Sequence, residues 1–460
     1  MMTFWSGRGR YFVRKTTRIA LCIYNRLHFS GLILLLTKVQ HVAIQSHCGK
    51  TTVFNFNRCL CSSSILVLKH LTNRRSCTNE RTFSYKVPIG SSITSNLRWF
   101  SSSSLGTVIP PGEVKRFITD CMMKVGTPKE NAEGLADVLV AADTRGHYSH
   151  GLNRLDMYVN DVRTGICDSK ALPELVKESA ATALVDGKNG LGPVIGNFCM
   201  ELAIKKARES GVGWVVAGGS NHYGIAGWYS LQASSQNLIG MSFTNTSPFL
   251  TPTRSKTPAL GTNPMTVAAK GEGTDEFVLD MATTAVAVGK VEVQRRKGEP
   301  IPNGWALDKS GNVTENATEA MEAASMMPLG GAEINSGYKG YGLALMTEIF
   351  CGIMAGAKYG PNVRKWMSAT EPANLGQCFV AVDPSCFAPG FEGRLSDLLN
   401  TLRNLEPIDP SKPVLVAGDP ETSHVKEVKD KGGIQYHINQ VTACSNLAKD
   451  LNVTPMKAIA

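Results

Sequence analysis

The stretch Val185-Asp-Gly-Lys-Asn-Gly-Leu-Gly-Pro-Val-Ile-Gly196 decides the fold. It follows an apolar segment over residues 180–186 that reads as a strand and leads into a helical pattern over 196–209. That is the position of a dinucleotide-binding loop in a Rossmann unit. The spacing is wrong for one. Gly190, Gly192 and Gly196 give G-x-G-x-x-x-G, Pro193 follows the second glycine, and the next strand, 213–217, ends in glycines and not in the acid that would hold a ribose. The stretch therefore reads as a glycine-rich strand-to-helix turn rather than a Rossmann site.

Outward from that turn the chain alternates helical and strand patterns. Residues 113–143 read as two helices broken near Gly126-Thr-Pro128, and Thr127-Pro-Lys-Glu130 has the order of a capping box. Short apolar runs at 238–243, 277–280, 378–383 and 413–417 read as strands, each running into a polar loop. Residues 285–297 and 338–356 read as helices; the second is strongly apolar but carries Lys339 and Glu348, which favours burial in protein over a membrane. The apolar runs at 32–36 and 62–68 are far shorter than the roughly 20 residues a membrane span requires, so no membrane partner is expected.

Charge divides the chain. Residues 1–100 hold 15 Lys and Arg against the single acid Glu80, whereas the rest holds 33 basic and 37 acidic residues. A basic, Ser-rich, acid-poor N-terminus has the composition of a mitochondrial transit peptide, and Arg98-Trp-Phe-Ser-Ser fits a processing site. We expect residues 1–100 to be a disordered or cleaved leader and the location to be the mitochondrial matrix, with the cytoplasm as the alternative. The leader shows none of the Arg/aromatic interleaving of an RNA-binding module, so no nucleic-acid partner is expected. Seven cysteines after residue 100 are scattered, without a C-x-x-C, which argues against a disulfide framework or a zinc cluster.

Two segments hold the raw material for chemistry, Thr144-Arg-Gly-His-Tyr-Ser-His-Gly-Leu-Asn-Arg-Leu-Asp-Met-Tyr158 and Gly218-Gly-Ser-Asn-His-Tyr-Gly224. If a helix covers 149–162, His150, Arg154 and Tyr158 share one stripe at i, i+4 and i+8, opposite Leu152, Leu155, Val159 and Val162. An arginine there offers a two-point donor for a carboxylate. His147 and His150 with Asp143 nearby could suggest a metal, but no third ligand has supporting context, so no metal is expected and His147 reads as structural. His222 follows a buried strand between glycines, at the end of a sheet where α/β proteins expose reactive groups. Polar loops at 244–248, 261–264, 280–284, 337–342 and 418–421 repeat the arrangement, and Lys339 at a helix start suits a phosphate.

Ser149-His-Gly-x-x-Arg154, Asn221-His-Tyr-Gly224, Gly261-Thr-Asn-Pro264, Leu279-Asp-Met-Ala-Thr283 and Gly337-Tyr-Lys-Gly340 occur together and in order. In this the chain resembles the malate/L-lactate dehydrogenases of the second, non-Rossmann type, a family that includes ureidoglycolate and sulfolactate dehydrogenases, diketogulonate reductase and piperideine-carboxylate reductase. The resemblance spans about residues 108–455 as one catalytic domain. It implies an α/β fold with a largely antiparallel central sheet and helical surroundings, and a homodimer with the site between lobes and subunits. The implied activity is NAD- or NADP-dependent hydride transfer to and from a small malate- or lactate-like 2-hydroxy acid, with an inactive binding or structural member as the alternative.

By matching motifs, the resemblance gives His222 the proton-acceptor role of some members and His150 the proton-donor role of others. Ser149, Arg154, Tyr158, Thr262 and Asn263 become substrate-binding positions. Thr246, Asp280, Met281, Ala282, Tyr338, Lys339, Gly418, Asp419 and Pro420 become cofactor-binding positions. Relatives often have Pro-Gly-Glu where this chain has Ala417-Gly418-Asp419, one methylene shorter at the acid. A histidine suits proton transfer in both directions because its unperturbed pKa of about 6.5 lies near neutral pH.

Overall fold

The computed structural model of the protein describes residues 41–45, 51–55 and 106–459. The chain forms two units, residues 1–97 and 98–460. In the first, β1 (His41–Gln45) and β2 (Thr51–Asn55) form an antiparallel pair; the rest of the expected leader lies outside the described residues.

The second unit begins with β3 (Thr107–Ile109) and a helical pair, α1 (Pro111–Lys124) and α2 (Lys129–Thr144). Proline opens α1, where its missing N–H is not needed. The expected capping box does not form. Pro128 caps α2 without a side-chain bond, and the Thr127 hydroxyl is buried without a partner. The helix expected over 149–162 is also shorter: one 3-10 turn, Leu152–Arg154, precedes α3 (Leu155–Arg163). Gly151 is non-helical and the Leu152 N–H is captured by buried Asp143, so the chain enters the helix only there.

Then follow β4 (Glu174–Glu178), β5 (Thr182–Asp186), α4 (Gly192–Ser210), β6 (Val212–Ser220), α5 (Gly227–Ser234), β7 (Ile239–Thr244), β8 (Met265–Lys270) and β9 (Glu276–Met281). A small lobe contains α6 (Val288–Lys297), β10 (Ala306–Leu307), β11 (Val313–Thr314) and α7 (Ala317–Ala323). Next come α8 (Gly337–Glu348), which continues into one π turn over Ile349–Ile353, β12 (Leu375–Val382), α9 (Phe391–Arg403), α10 (Asp419–Asp430), β13 (Ile434–Tyr436) and α11 (Ile438–Leu451). Strand β13 pairs with β3 and returns the C-terminus to the first helices.

The central sheet has the order β4-β5-β6-β12-β7-β8-β9. Only β5 and β6 are parallel, so the sheet is largely antiparallel, as the resemblance implied. Strand β12 arrives from far along the chain to fill the centre, and its apolar sequence matches burial on both faces. Phe379 and Ala381 point to α4 and α5, packing with Ile195, Cys199 and Tyr229. Cys378 and Val380 point the other way, onto Cys351 and Phe350 of the π turn. A third cluster joins α1, α2, α3 and α11 through Phe117, Leu139, Leu155, Val159 and Leu451. Residues 413–417, expected as a strand, lie beside β9 without a ladder; Val278 N–H reaches Ala417 O at 3.0 Å.

Candidate active site

The glycine turn that opens α4 is filled with protein. A Cβ on Gly192 would lie 2.2 Å from the carbonyl oxygen of His222, and one on Gly196 would lie 2.4 Å from the Tyr229 ring. Asn221 donates to the carbonyl oxygens of Asn189 and Gly190 at 3.2 and 2.9 Å, and Gln377 donates to the Asn221 carbonyl at 3.0 Å. The segment that looked like a phosphate loop is therefore the mount of the His222 backbone. Gly224, with φ +79°, lies so close to Val138 that a Cβ would meet it at 2.4 Å. Its N–H turns back to His222 Nδ1 at 3.3 Å.

On the other side of the site, Asp143 is fully buried under the loop carrying Ser149 and His150. Its Oδ2 accepts from Leu152 N–H at 2.9 Å and from the Tyr436 hydroxyl at 2.6 Å. Burial raises the Asp143 carboxyl to about 7 against the lowering effect of those donors. Ser149 Oγ lies 2.8 Å from His150 Nδ1, and Arg154 Nε donates to the Ser149 carbonyl at 2.6 Å. The His150 and His222 rings stack, with centroids 5.8 Å apart and planes 18° from parallel.

Tyr158 is buried on α3 and its hydroxyl sits 2.6 Å from His222 Nδ1 and 3.2 Å from the His222 carbonyl oxygen. Its part in the site runs through that ring. Desolvation, then the Arg154 and His147 charges, pushes His150 down to about 3. Burial, then His150 and Arg154, holds His222 well below the ordinary histidine value. Both are neutral imidazoles at neutral pH.

The sequence pattern missed Trp366 and Arg364. Arg364 bridges to Asp161 of α3 at 2.9 Å and donates to the carbonyls of Ser368 and Glu371, which folds the intervening loop onto the site. The Trp366 ring lies 5.7 Å from His222 and 5.4 Å from the Arg154 guanidinium carbon. A lone tryptophan in a polar loop just before a buried strand was the available signal, but it has no periodic partner to mark it.

The cofactor candidates gather at the end of β9. Thr246 and Thr262 are linked, with Thr262 N–H donating to Thr246 Oγ1 at 2.9 Å, and Thr283 N–H donates to the Thr262 carbonyl at 2.9 Å. Asn263 is fully buried; its amide donates to Glu348 and to the Ala344 carbonyl and accepts from Thr246 N–H, so it shapes the loop from within. Glu348 also accepts from Asn245, which makes this buried carboxylate the hub between α8 and the β7 end. Asp280 Oδ2 accepts from Gly227 N–H at the start of α5, and burial raises its carboxyl despite His147, that N–H and Arg145. Met281 and Ala282 follow, partly exposed.

Leu329 links this end to α8: its N–H donates to Thr283 O, and a Cβ on Gly340 would touch its backbone. Tyr338 and Lys339 are both exposed on the first turn of α8. Gly418, with φ +104°, packs on Val278 of β9. Asp419 is clamped by Arg403 through bonds of 2.8 and 3.0 Å and accepts from Val416 N–H, so its carboxylate is already engaged, and Pro420 beside it is exposed. An exposed ammonium at a helix N-terminus, a carboxylate at a strand end and an exposed phenol suit the phosphate, ribose and base of a dinucleotide. His147, by contrast, faces Glu421 at 3.7 Å, and among the described residues no cluster of three or more His, Cys, Asp or Glu is placed to hold a metal.

The sequence model of malate/L-lactate dehydrogenase matches residues 109–443. Malate dehydrogenase of Pyrococcus horikoshii is 37% identical over 348 residues, 75% of this chain and 96% of that protein. L-sulfolactate dehydrogenase of Methanocaldococcus jannaschii is 38% identical over 75% of this chain and 98% of its own length. The crystal structure of malate dehydrogenase from Entamoeba histolytica superposes with a TM-score of 0.73 at 30% identity, covering 76% of this chain and 99% of that one. The chain belongs to the malate/L-lactate dehydrogenase family, oxidoreductases acting on 2-hydroxy acids.

Proposed function

We propose that this family member is an NAD(P)-dependent dehydrogenase that interconverts a small malate- or lactate-like 2-hydroxy acid and its 2-oxo acid. The observation that carries this is the placing of Arg154 and His222 against the same indole, with His150 stacked on His222. Asp280, Met281, Ala282, Tyr338, Lys339 and the backbone of Gly418–Pro420, with Thr246, would hold the dinucleotide, which when bound exchanges a hydride with C2. Arg154 pairs with the substrate carboxylate, helped by Ser149 and Thr262. His222 takes the C2 hydroxyl proton on Nε2 in oxidation and returns it in reduction.

Tyr158 makes both directions possible. With Nδ1 bare, the hydroxyl and the Gly224 N–H both donate to it; when Nδ1 carries the proton and Nε2 is the free base, the hydroxyl accepts from Nδ1–H and donates to the His222 carbonyl, and the Gly224 N–H gives up its 3.3 Å bond. The Arg154 charge is one reason His222 resists protonation. A carboxylate arriving at Arg154 offsets that charge and moves the imidazole back toward the working range. Initial rates of NADH and NADPH formation with malate, lactate, sulfolactate and ureidoglycolate test the proposal; absence of turnover by folded protein with every acid and either cofactor would leave a binding protein instead.

Two supporting proposals go with it. The exposed apolar stripe Tyr338, Leu345, Ile349 and Ile353 along α8 and its π turn supports a homodimer with Tyr338 near the contact. Light scattering should then show a dimer that Ile349→Asp converts to monomer; a monomeric wild type would refute it. The basic balance of residues 1–100 supports a mitochondrial leader, and a native mature protein that still begins at residue 1 would refute that.

A further inference from the structure

The loop that begins at Val363 is tied down more firmly than a surface connection needs. Val363 is buried against Ala373 and Leu375. The Arg364 side chain is only 9% exposed, paired with Asp161 and bonded to two carbonyls of its own loop. Two residues further on, the indole of Trp366 is half-buried, and its neighbours are two members of the candidate site, Arg154 and His222.

We infer that Trp366 is a specificity-determining residue whose indole limits the substituent an acid can carry beyond C2. The inference rests on the dehydrogenase reading above. A guanidinium binds a carboxylate along its edge, in its plane. The Arg154 guanidinium carbon lies over the indole ring, 5.4 Å from its centroid, as a cation–π partner does. An acid with its carboxylate at Arg154 and its C2 oxygen at His222 must therefore lie alongside the indole, because the same ring contacts both residues. Whatever C3 carries is then turned toward or away from that wall. Small groups clear it, and a branched or aromatic group meets the ring.

The test is reduction of pyruvate, oxaloacetate, 4-methyl-2-oxopentanoate and phenylpyruvate by wild type, Trp366→Phe and Trp366→Ala, with kcat and KM measured separately. Opening the wall should raise kcat/KM for phenylpyruvate relative to oxaloacetate by about tenfold or more in Trp366→Ala, the scale of discrimination a hydrophobic pocket supplies. Trp366→Phe keeps a ring of smaller size and should shift the ratio the same way by less, which decides the matter should the alanine variant fail to fold. Equal loss on all four acids, or an unchanged ratio in the phenylalanine variant, would overturn the role of Trp366 alone. A wild type that reduces none of them overturns this inference, and one that also fails to oxidise malate, lactate, sulfolactate and ureidoglycolate with either cofactor overturns the dehydrogenase reading with it.

Discussion

Two glycine-bearing packing junctions do opposite things in this molecule. At Gly190-Leu-Gly192 the missing Cβ atoms let one backbone approach another, and the space beyond the second glycine is taken by Asn221 and His222. At the β9 end, Gly340 lets α8 close on Leu329, whose N–H is bonded to the Thr283 carbonyl, and Gly418 lets the 417–420 turn close on Val278 of the strand, while Tyr338 and Lys339 stay exposed. Glycine by itself does not mark a ligand site. What distinguishes the two is what lies beyond the glycines: packed backbone at the first, and the exposed Tyr338 and Lys339 at the second.

That contrast breaks if substitutions at the two junctions do the same kind of damage. The largest effect is expected at the residue the first junction mounts: His222→Ala should lose about 10² to 10⁴ in kcat. His150→Ala should lose less. The reverse order in stopped-flow or steady-state rates would exchange their roles. Next, Gly192→Ala forces a methyl to within 2.2 Å of the His222 carbonyl. It should destabilise the fold by about 1 to 3 kcal/mol in urea titration, the usual size of overpacking, and lower kcat with the cofactor KM unchanged.

Lys339→Ala should do the converse, raising the cofactor KM about tenfold, the scale of one charge-assisted hydrogen bond, with stability unaltered. A Gly192 variant that loses cofactor affinity would erase the distinction. A last test uses pH. His150 is held down to about 3 in the folded protein, against about 6.5 when unfolded. Its neutral-state stability is thus present above pH 6.5 and is lost as pH falls toward 3. His150→Gln should flatten the fall of the urea midpoint between pH 7 and 5, and an unchanged slope would contradict the burial of that ring.

Much of the fold could be read because its segments are periodic. Leu152, Leu155 and Val159 lie in the core as the stripe predicted, and the strands at 213–217, 238–243 and 277–280 form. What could not be read depended on contacts distant in sequence. Residues 413–417 have strand composition but only the edge of β9 to meet. His150 was placed on a helix because the pattern ignores Asp143, whose carboxylate holds Leu152 and is reached by Tyr436 from the far end of the chain. In the site, His222, His150 and Arg154 were visible as residue types in glycine-permissive segments and do converge. Asn263 and Asp419 drew attention for the same reason, yet their side chains are committed to Glu348 and Arg403. Glu348 showed only as a charge inside an apolar helical run, and Trp366 only as a lone aromatic in a polar loop, so neither sequence neighbourhood pointed to its partners.

The most direct measurement is a crystal structure with a nicotinamide dinucleotide bound. We expect the pyrophosphate at the first turn of α8, within reach of Lys339, and a ribose beside the 280–282 segment, with Gly190 and Gly192 still packed against Asn221 and His222. A pyrophosphate seated on the first turn of α4, with His222 displaced to admit it, would contradict the reading of both junctions.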